Sequence, residues 1–407
     1  MKILVNCYAC SPYKGSEPGM GWNFVDCLSR YHELHIITEG KFEADIRRFF
    51  RENPEREKDF HFYFIWKKRH KKLRKIWPPS YYWFYKAWQK KAYKLAVGLN
   101  ERENFDVIHQ LNMVGYREPG YLWKINKPLV WGPIGGFDVS PWSMLFSMGI
   151  KGAIFYGFRN IINNWQMHTK YRVRTAMKKA ESVISATETV RKAIKTLYGR
   201  DSIIIPEVGL GKRVDEHFSR RASCEKLRIC WSGQHTPGKA LNLLLEALAK
   251  INGTGVELHV LGVGTETNKW KRMATKLKLQ NIVWHGWMDR ENALELMRTC
   301  HLFCITSLKD LTSSVLLEAL SYGLPVIALD HCGFSNVLTE NCGIKIAITN
   351  KKQVVSDIGK AIMKLESDED LRYKLAQGAQ QRALEYNWED KAKTISKIYE
   401  SVSVQNI

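Results

Sequence analysis

Apolar and polar positions along this chain change period repeatedly. Apolar runs of about four to eight residues alternate with stretches in which apolar positions recur three or four apart, the succession of buried strand and amphipathic helix. Strands are predicted at Lys2–Tyr8, Leu34–Thr38, Phe60–Trp66, Asp106–Leu111, Leu129–Gly132, Ser182–Ala186 and Ile203–Val208. A helix is predicted from near Gly19, with Trp22, Phe24, Val25 and Leu28 on one face, and another over Val190–Tyr198. From Pro206 to Glu225 the periodicity lapses into glycine and mixed charge, which marks a linker. A second series follows, with strands at Leu227–Trp231, Val256–Leu261, Ile282–His285, Leu302–Thr306, Val326–Leu329 and near Ile344–Ile348. The tail, Lys352–Val404, is helical by pattern with a break near Asn387-Trp388.

Repeated strand–helix units imply parallel sheets covered by helices. The expected architecture is α/β, with two Rossmann-like domains. The first is expected over 1–208, completed by about 388–407, and the second over 209–387. At 407 residues the chain can bury two full cores.

Charge is unevenly spread. The formal net charge is +21; residues 1–208 hold 35 Lys/Arg and 19 Asp/Glu, and the remainder 27 and 22. The first half is therefore suited to an anionic partner. Within it, Trp66–Lys94 carries 11 Lys/Arg, nine aromatics and no acid. Either its aromatics pack on their own domain while its lysines face water, or they sit at a membrane surface with the lysines on anionic head groups. No nucleic-acid-binding module pattern is present.

Met144–Trp165 is the most apolar stretch, but Lys151, Arg159 and several polar residues interrupt it, so no spanning helix is expected. The opening MKILVNCYACSP reads as a strand, with too short an apolar core for a signal peptide. A cytoplasmic location is expected. Nine cysteines are scattered; Cys7-x-x-Cys10 has no second pair at metal spacing, so buried thiols are expected and no metal.

Candidate chemistry gathers where strands end. Cys304–Ser335 reads as a strand, a polar loop, an apolar helix, a Gly-Leu-Pro turn and a second strand. Asp310 lies in the loop and Glu318 eight residues on, in the helix. The carboxyl edge of a parallel sheet is where ligands bind, and the helix start between the carboxylates suits an anion. Lys239, in the loop WSGQHTPGK, stands at a helix start where the dipole disfavours a cation unless an anion is present. Gly262-Val263-Gly264 and Gly286-Trp287 end the next strands. In the first half, Lys14–Gly21 (KGSEPGMG) and Gly132–Gly136 (GPIGG) are glycine loops of the same kind, and His109 falls at the end of the fourth strand.

Taken together, the lysine loop, the Gly-x-Gly strand end, the Asp310-x7-Glu318 pair with EALSYGLPVIALD, and the GSEPGMGW loop resemble the retaining GT-B glycosyltransferases of family four, the glycosyl transferases group 1. The resemblance spans nearly the whole chain. It implies two domains facing across a cleft, with the C-terminal helices returning to the first. It implies transfer of a sugar, with retention, from a nucleotide diphosphate sugar to a saccharide acceptor. No metal or other cofactor is implied.

The resemblance also assigns roles. Asp310 would contact the donor sugar, and Glu318 would hold the ribose hydroxyls. The backbone of Leu311, Thr312, Ser313 and Ser314 would bind sugar and phosphate. Gln234 and Lys239 occupy the positions of the two cations that neutralise the diphosphate. Gly19 and Met20 would approach the donor phosphate. Gly262 belongs to the same donor edge, and Gly286 and Trp287 border the base. His109, with Lys239 and Asp310, is a catalytic candidate.

Three departures stand out: Asp rather than Glu at 310, Gln rather than Arg at 234, and Leu at 111 in place of a second histidine. The acceptor is expected on the basic half, as a lipid-linked saccharide at the inner membrane face, in cell-surface polysaccharide or lipopolysaccharide synthesis. A nucleotide-sugar 2-epimerase of the same fold and an inactive donor-binding subunit are the alternatives.

Overall fold

The computed structural model describes residues 1–68, 71–77, 80–211, 226–252 and 255–404. It divides the chain into two compact units. The first holds Met1–Phe137, Gln166–Glu207 and Trp388–Ile407, and the second Asp138–Trp165 and Val208–Asn387. Most of the predicted linker, 212–225, lies outside the described residues.

The first unit is built on a seven-stranded parallel sheet. In chain order its strands are β1 (Lys2–Cys7), β2 (Glu33–Glu39), β3 (Phe60–Ile65), β4 (Val107–Asn112), β5 (Leu129–Ile134), β6 (Ser182–Ser185) and β7 (Ile203–Ile204). Their spatial order is β3-β2-β1-β4-β5-β6-β7, so the chain reverses direction across the sheet between β1 and β4. Ile3, Leu4, Val5, Ile36, Ile37 and Ile108 are fully buried, which explains why these strands read as continuous apolar runs.

The final helix, Trp388–Val404, belongs to this unit. Trp388 meets Phe24 edge-on at 5.0 Å. Arg30 pairs with Glu389 at 2.6 Å, and His32 Nε2 lies 2.8 Å from the Ser396 hydroxyl. Lys391 is buried on the same helix and donates to the Pro206 carbonyl at 2.9 Å. Burial pulls its ammonium down to about 7, against the pull of Glu207.

The second unit has a six-stranded parallel sheet: β8 (Leu227–Ser232), β9 (Val256–Leu261), β10 (Ile282–Gly286), β11 (Leu302–Ile305), β12 (Val326–Leu329) and β13 (Gly343–Ile346). Their order is β10-β9-β8-β11-β12-β13, with the reversal between β8 and β11. Two apolar clusters cover its faces, one around Leu244, Trp231 and Ile362, the other around Phe303, Leu317 and Phe334. The tail breaks twice rather than once. Asp368 separates Lys351–Ser367 from Glu369–Leu384 and caps the latter through its side chain.

The first domain was expected to run unbroken to residue 208. Residues 138–165 instead belong with the second unit, because Met144, Leu145, Met148, Ala153 and Tyr156 enter the Leu244 cluster.

Candidate functional site

In an open parallel sheet, the loops on either side of the reversal point splay apart and leave a crevice. In the second unit those are the loops after β8 and β11, which carry Lys239 and Asp310. The two loops are stapled together. Gly238 accepts backbone hydrogen bonds from Leu308 at 2.8 Å and Lys309 at 3.3 Å. The Thr306 hydroxyl donates to the Lys239 carbonyl at 2.8 Å and accepts from Trp231 Nε1 at 3.1 Å. This fixes the stem of Lys239 beside the β11 loop, and its ammonium forms an ion pair with the Asp310 carboxylate. The other Asp310 oxygen accepts from its neighbour's backbone, Leu311 N–H, at 3.1 Å.

The helix Ser314–Ser321 starts at this loop, and Ser313 at its N-cap makes no side-chain cap bond. The N-cap side chain thus does not offset the partial positive charge of the first turn. Thr312 is buried against Gly333, where a Cβ would fall 2.2 Å from the Thr312 hydroxyl, so only glycine lets the next turn close over the loop. Glu318 lies further along the helix and accepts from Arg290 Nη2 at 2.7 Å and Nε at 3.1 Å. Arg290 is a partner that sequence reasoning missed. Its signal was weak, a cation following a turn Asp with nothing to link it to residue 318.

The remaining predicted donor residues sit at neighbouring strand ends. Gly262 has φ +108°, and a Cβ there would lie 2.1 Å from the Gly233 carbonyl. Gln234 and Trp287 are exposed, the latter 76%. His235, between Gln234 and Thr236, is buried and pairs its Nδ1 with the Thr267 hydroxyl at 2.8 Å.

A carboxylate not singled out in the sequence stands close by. Asp138 is 2% exposed, and neither carboxylate oxygen has a hydrogen-bond partner. Lys309 donates to its backbone carbonyl. Burial pushes the Asp138 carboxyl up, while Lys309 and His331 draw it down. Asp138 and Asp310 both act on Cys332, whose thiol is driven far up chiefly by burial.

The first unit has its own crevice, between β1 and β4. Asn112 bridges the two strand ends, accepting from Ala9 N–H at 3.1 Å and donating to the Ala9 carbonyl at 2.8 Å. The KGSEPGMG loop opens the helix Ser16–Leu28. Gly19 packs so tightly that a Cβ would fall 2.3 Å from the Lys14 carbonyl, and Met20 is buried. Glu17 reaches the opposite loop, accepting from Val114 N–H at 2.8 Å. Burial pushes its carboxyl up, against the Val114 bond and Lys41.

His109 has a different occupation from a group that meets substrate. It is fully buried, with Nδ1 at 2.5 Å from the Tyr399 hydroxyl and Nε2 at 2.7 Å from the Gly132 carbonyl. Burial lowers it to about 4, so it is neutral at physiological pH. It ties the central strands to the returning helix.

Residues 213–382 match the model of the glycosyl transferases group 1 family. That stretch is 170 of the chain's 407 residues. A phosphatidyl-myo-inositol mannosyltransferase from Mycobacterium leprae is 24% identical to this chain over 226 residues. The aligned stretch covers 54% of this chain and 59% of that relative, little more than half of its length. Two solved structures share the fold nearly end to end. Sucrose-phosphate synthase from Thermosynechococcus elongatus has a TM-score of 0.67 at 13% identity, covering 99% of each chain. HepE from Anabaena, solved with UDP, has a TM-score of 0.62 at 16% identity, covering 98% of this chain and 100% of that one. These likenesses bear out the expected GT-B fold. Within the group 1 domain, Lys239, Asp310 and Glu318 all lie inside the matched stretch.

Other sequence expectations fall away from this domain. In Trp66–Lys94, Tyr85 and Trp88 pack inward from the helix Ser80–Glu103, while Trp66, Trp77 and Trp83 are exposed. The inward packing of Tyr85 and Trp88 follows the reading in which the aromatics pack on their own domain; residues 69, 70, 78 and 79 lie outside the described set. The described cysteines are all buried, and burial drives the Cys10 thiol well up. Among the described residues, Glu33, His35 and His61 bring three possible metal-ligand atoms within 4.8 Å of one another, on β2 and β3. Lys2 Nζ stands 3.9 Å from Glu33 there, and the group lies at the strand starts, away from the crevice. No helix among the described residues is long and apolar enough to cross a membrane.

Proposed function

We propose that this protein transfers a sugar, with retention, from a nucleotide diphosphate sugar to a saccharide acceptor. One observation carries the reading. Lys239 and Asp310 meet at the reversal point of the second sheet, at the loop that leads into the helix carrying Glu318, inside the group 1 stretch. A cation and a carboxylate there can grip a diphosphate and the sugar beyond it, and Glu318 can take the ribose hydroxyls.

In this reading the glycosidic bond from the sugar C1 to the diphosphate breaks. A new bond from C1 to the acceptor oxygen forms on the same face, and the acceptor proton passes to the departing phosphate. No protein nucleophile and no metal are required, because Lys239 and the start of the Ser314–Ser321 helix meet the charge that develops on the leaving group. Gln234 supplies no charge, so Lys239 carries more of that load.

The acceptor we favour is lipid-linked, at the inner face of a membrane, in synthesis of a cell-surface glycan. The name of the mycobacterial relative, a transferase acting on phosphatidyl-myo-inositol, supports a lipid-borne acceptor. The UDP held by HepE supports a nucleotide diphosphate donor. Incubation with labelled donors, with and without membrane extract, tests the reading. Sugar transferred only when acceptor is present supports it. Conversion of the donor alone to its 2-epimer, or nucleotide binding with no turnover, would replace it with one of the two alternatives.

A further inference from the structure

The helix Gly149–Thr169 carries its largest apolar side chains on the outside. Its inward positions mix small, polar and apolar side chains: Gly152, Ala153, Tyr156, Asn160, Asn163 and Met167 are buried. Asn160 is held by the Ser140 backbone, accepting from its N–H at 3.0 Å and donating to its carbonyl at 2.8 Å. Its outward positions are Ile150, Ile154, Phe155, Phe158, Ile161 and Trp165, exposed by 59% to 75%. At helical spacing, all of these but Phe155 fall within an arc of about 80°. A contiguous exposed apolar face of this kind marks a surface that meets something apolar.

Charge decides what that is. From residue 139 to 180 the chain holds seven Lys/Arg and no Asp or Glu. Lys151 and Arg159 are exposed on the helix itself, both past the same edge of the apolar arc. A second copy of the chain, itself at +21, would set like charge against like across a two-fold interface. An anionic bilayer accepts both features: apolar side chains enter the boundary of the acyl chains, and lysine and arginine meet the head groups. Phe and Trp suit that boundary.

We propose that the outward face of the Gly149–Thr169 helix lies in the interfacial layer of an anionic lipid bilayer and holds the protein there. The inward face shows what this achieves. A Cβ on Gly152 would sit 3.3 Å from the Pro237 Cβ, and one on Gly238 would sit 2.7 Å from the Tyr156 hydroxyl. The helix therefore packs directly on the Pro237–Lys239 turn. Docking places that turn about one helix diameter, roughly 10 Å, from the lipid. This use of the surface rests on the proposed lipid-linked acceptor; the docking itself does not.

Flotation tests it with phosphatidylcholine vesicles containing about 30% phosphatidylglycerol, without donor or acceptor. Wild-type protein is expected to float, less so at high salt. Ile154→Ser/Phe158→Ser/Ile161→Ser should cut partitioning at least about tenfold, with no fall in the thermal midpoint because these side chains are already exposed. Trp66→Ser/Trp77→Ser/Trp83→Ser should float as wild type does. The proposal is overturned if wild type stays in solution, if the helix variant floats normally, or if the tryptophan variant alone loses binding. It is also overturned if the helix variant unfolds early, or if it abolishes a self-association of wild type that forms without lipid. Flotation without sugar transfer from any donor would leave the docking standing and remove the proposed activity. Transfer to a soluble saccharide without flotation would do the reverse.

Discussion

Lys239 and Asp310, 71 residues apart in sequence, form an ion pair across the reversal point of the second sheet. Each is about one-fifth exposed, so the pair is screened less than a surface bridge but remains open to a ligand. In the proposed function, a diphosphate entering here would compete with Asp310 for the ammonium and free the carboxylate for the sugar.

That exchange predicts strong coupling. Lys239→Ala and Asp310→Ala should each slow transfer by about 10² to 10³. The double variant should lose far less than the product of the two, since each single change leaves its partner uncompensated. Initial rates of the three variants at saturating donor check this. Multiplicative losses would show that the two residues act separately.

Glu318 should matter more for binding than for turnover. Glu318→Ala is expected to weaken nucleotide diphosphate binding by about 1.5–3 kcal/mol, the range for hydrogen bonds to a charged group. Arg290→Ala should weaken it less, because Arg290 is exposed and orients Glu318 without being the group assigned to the ribose. Titration calorimetry with the nucleotide measures both.

Asp138 should give a stability signature of its own. Burial raises its folded carboxyl above the unfolded 3.8, so the folded state binds more protons between those two values. Stability is therefore lost as pH rises through that window and stays lost above it. Asp138→Asn should be more stable than wild type at pH 7, with the gap closing towards pH 4. Urea unfolding across that range provides the measurement.

His109 runs the other way. Its folded value of about 4 lies below the unfolded 6.5, so the unfolded chain takes up a proton first and stability falls as pH drops from 6.5 to 4. His109→Phe should lose this slope. It should also cost about 2–4 kcal/mol, since it strands the Tyr399 hydroxyl and the Gly132 carbonyl. The folded variant is expected to keep its turnover number, in contrast to Lys239→Ala.

The strands were legible because both faces of a parallel sheet are buried, which turns each into an apolar run. Val256–Leu261 and Val326–Leu329 emerged with the expected bounds. The placement of Asp310, Glu318 and Lys239 at or just beyond the strand ends of the second sheet was legible because each occupies a fixed offset from a strand end or glycine turn. Residues whose meaning lies in distant partners were not. Arg290 matters through Glu318, and Asp138 only because folding buries it beside Lys309. The Gly149–Thr169 helix was opaque for another reason: periodicity gives an apolar face but not which way that face points.

The central claim is that the second unit holds a nucleotide diphosphate sugar through Lys239, Asp310 and Glu318. Thermal unfolding with UDP, GDP and ADP tests it most directly, since a ligand at 100 times its dissociation constant adds about 2.7 kcal/mol. One of the three should stabilise wild type well beyond the others, and Glu318→Ala should abolish that shift. No shift, equal shifts from all three, or an undiminished shift in Glu318→Ala would contradict the account.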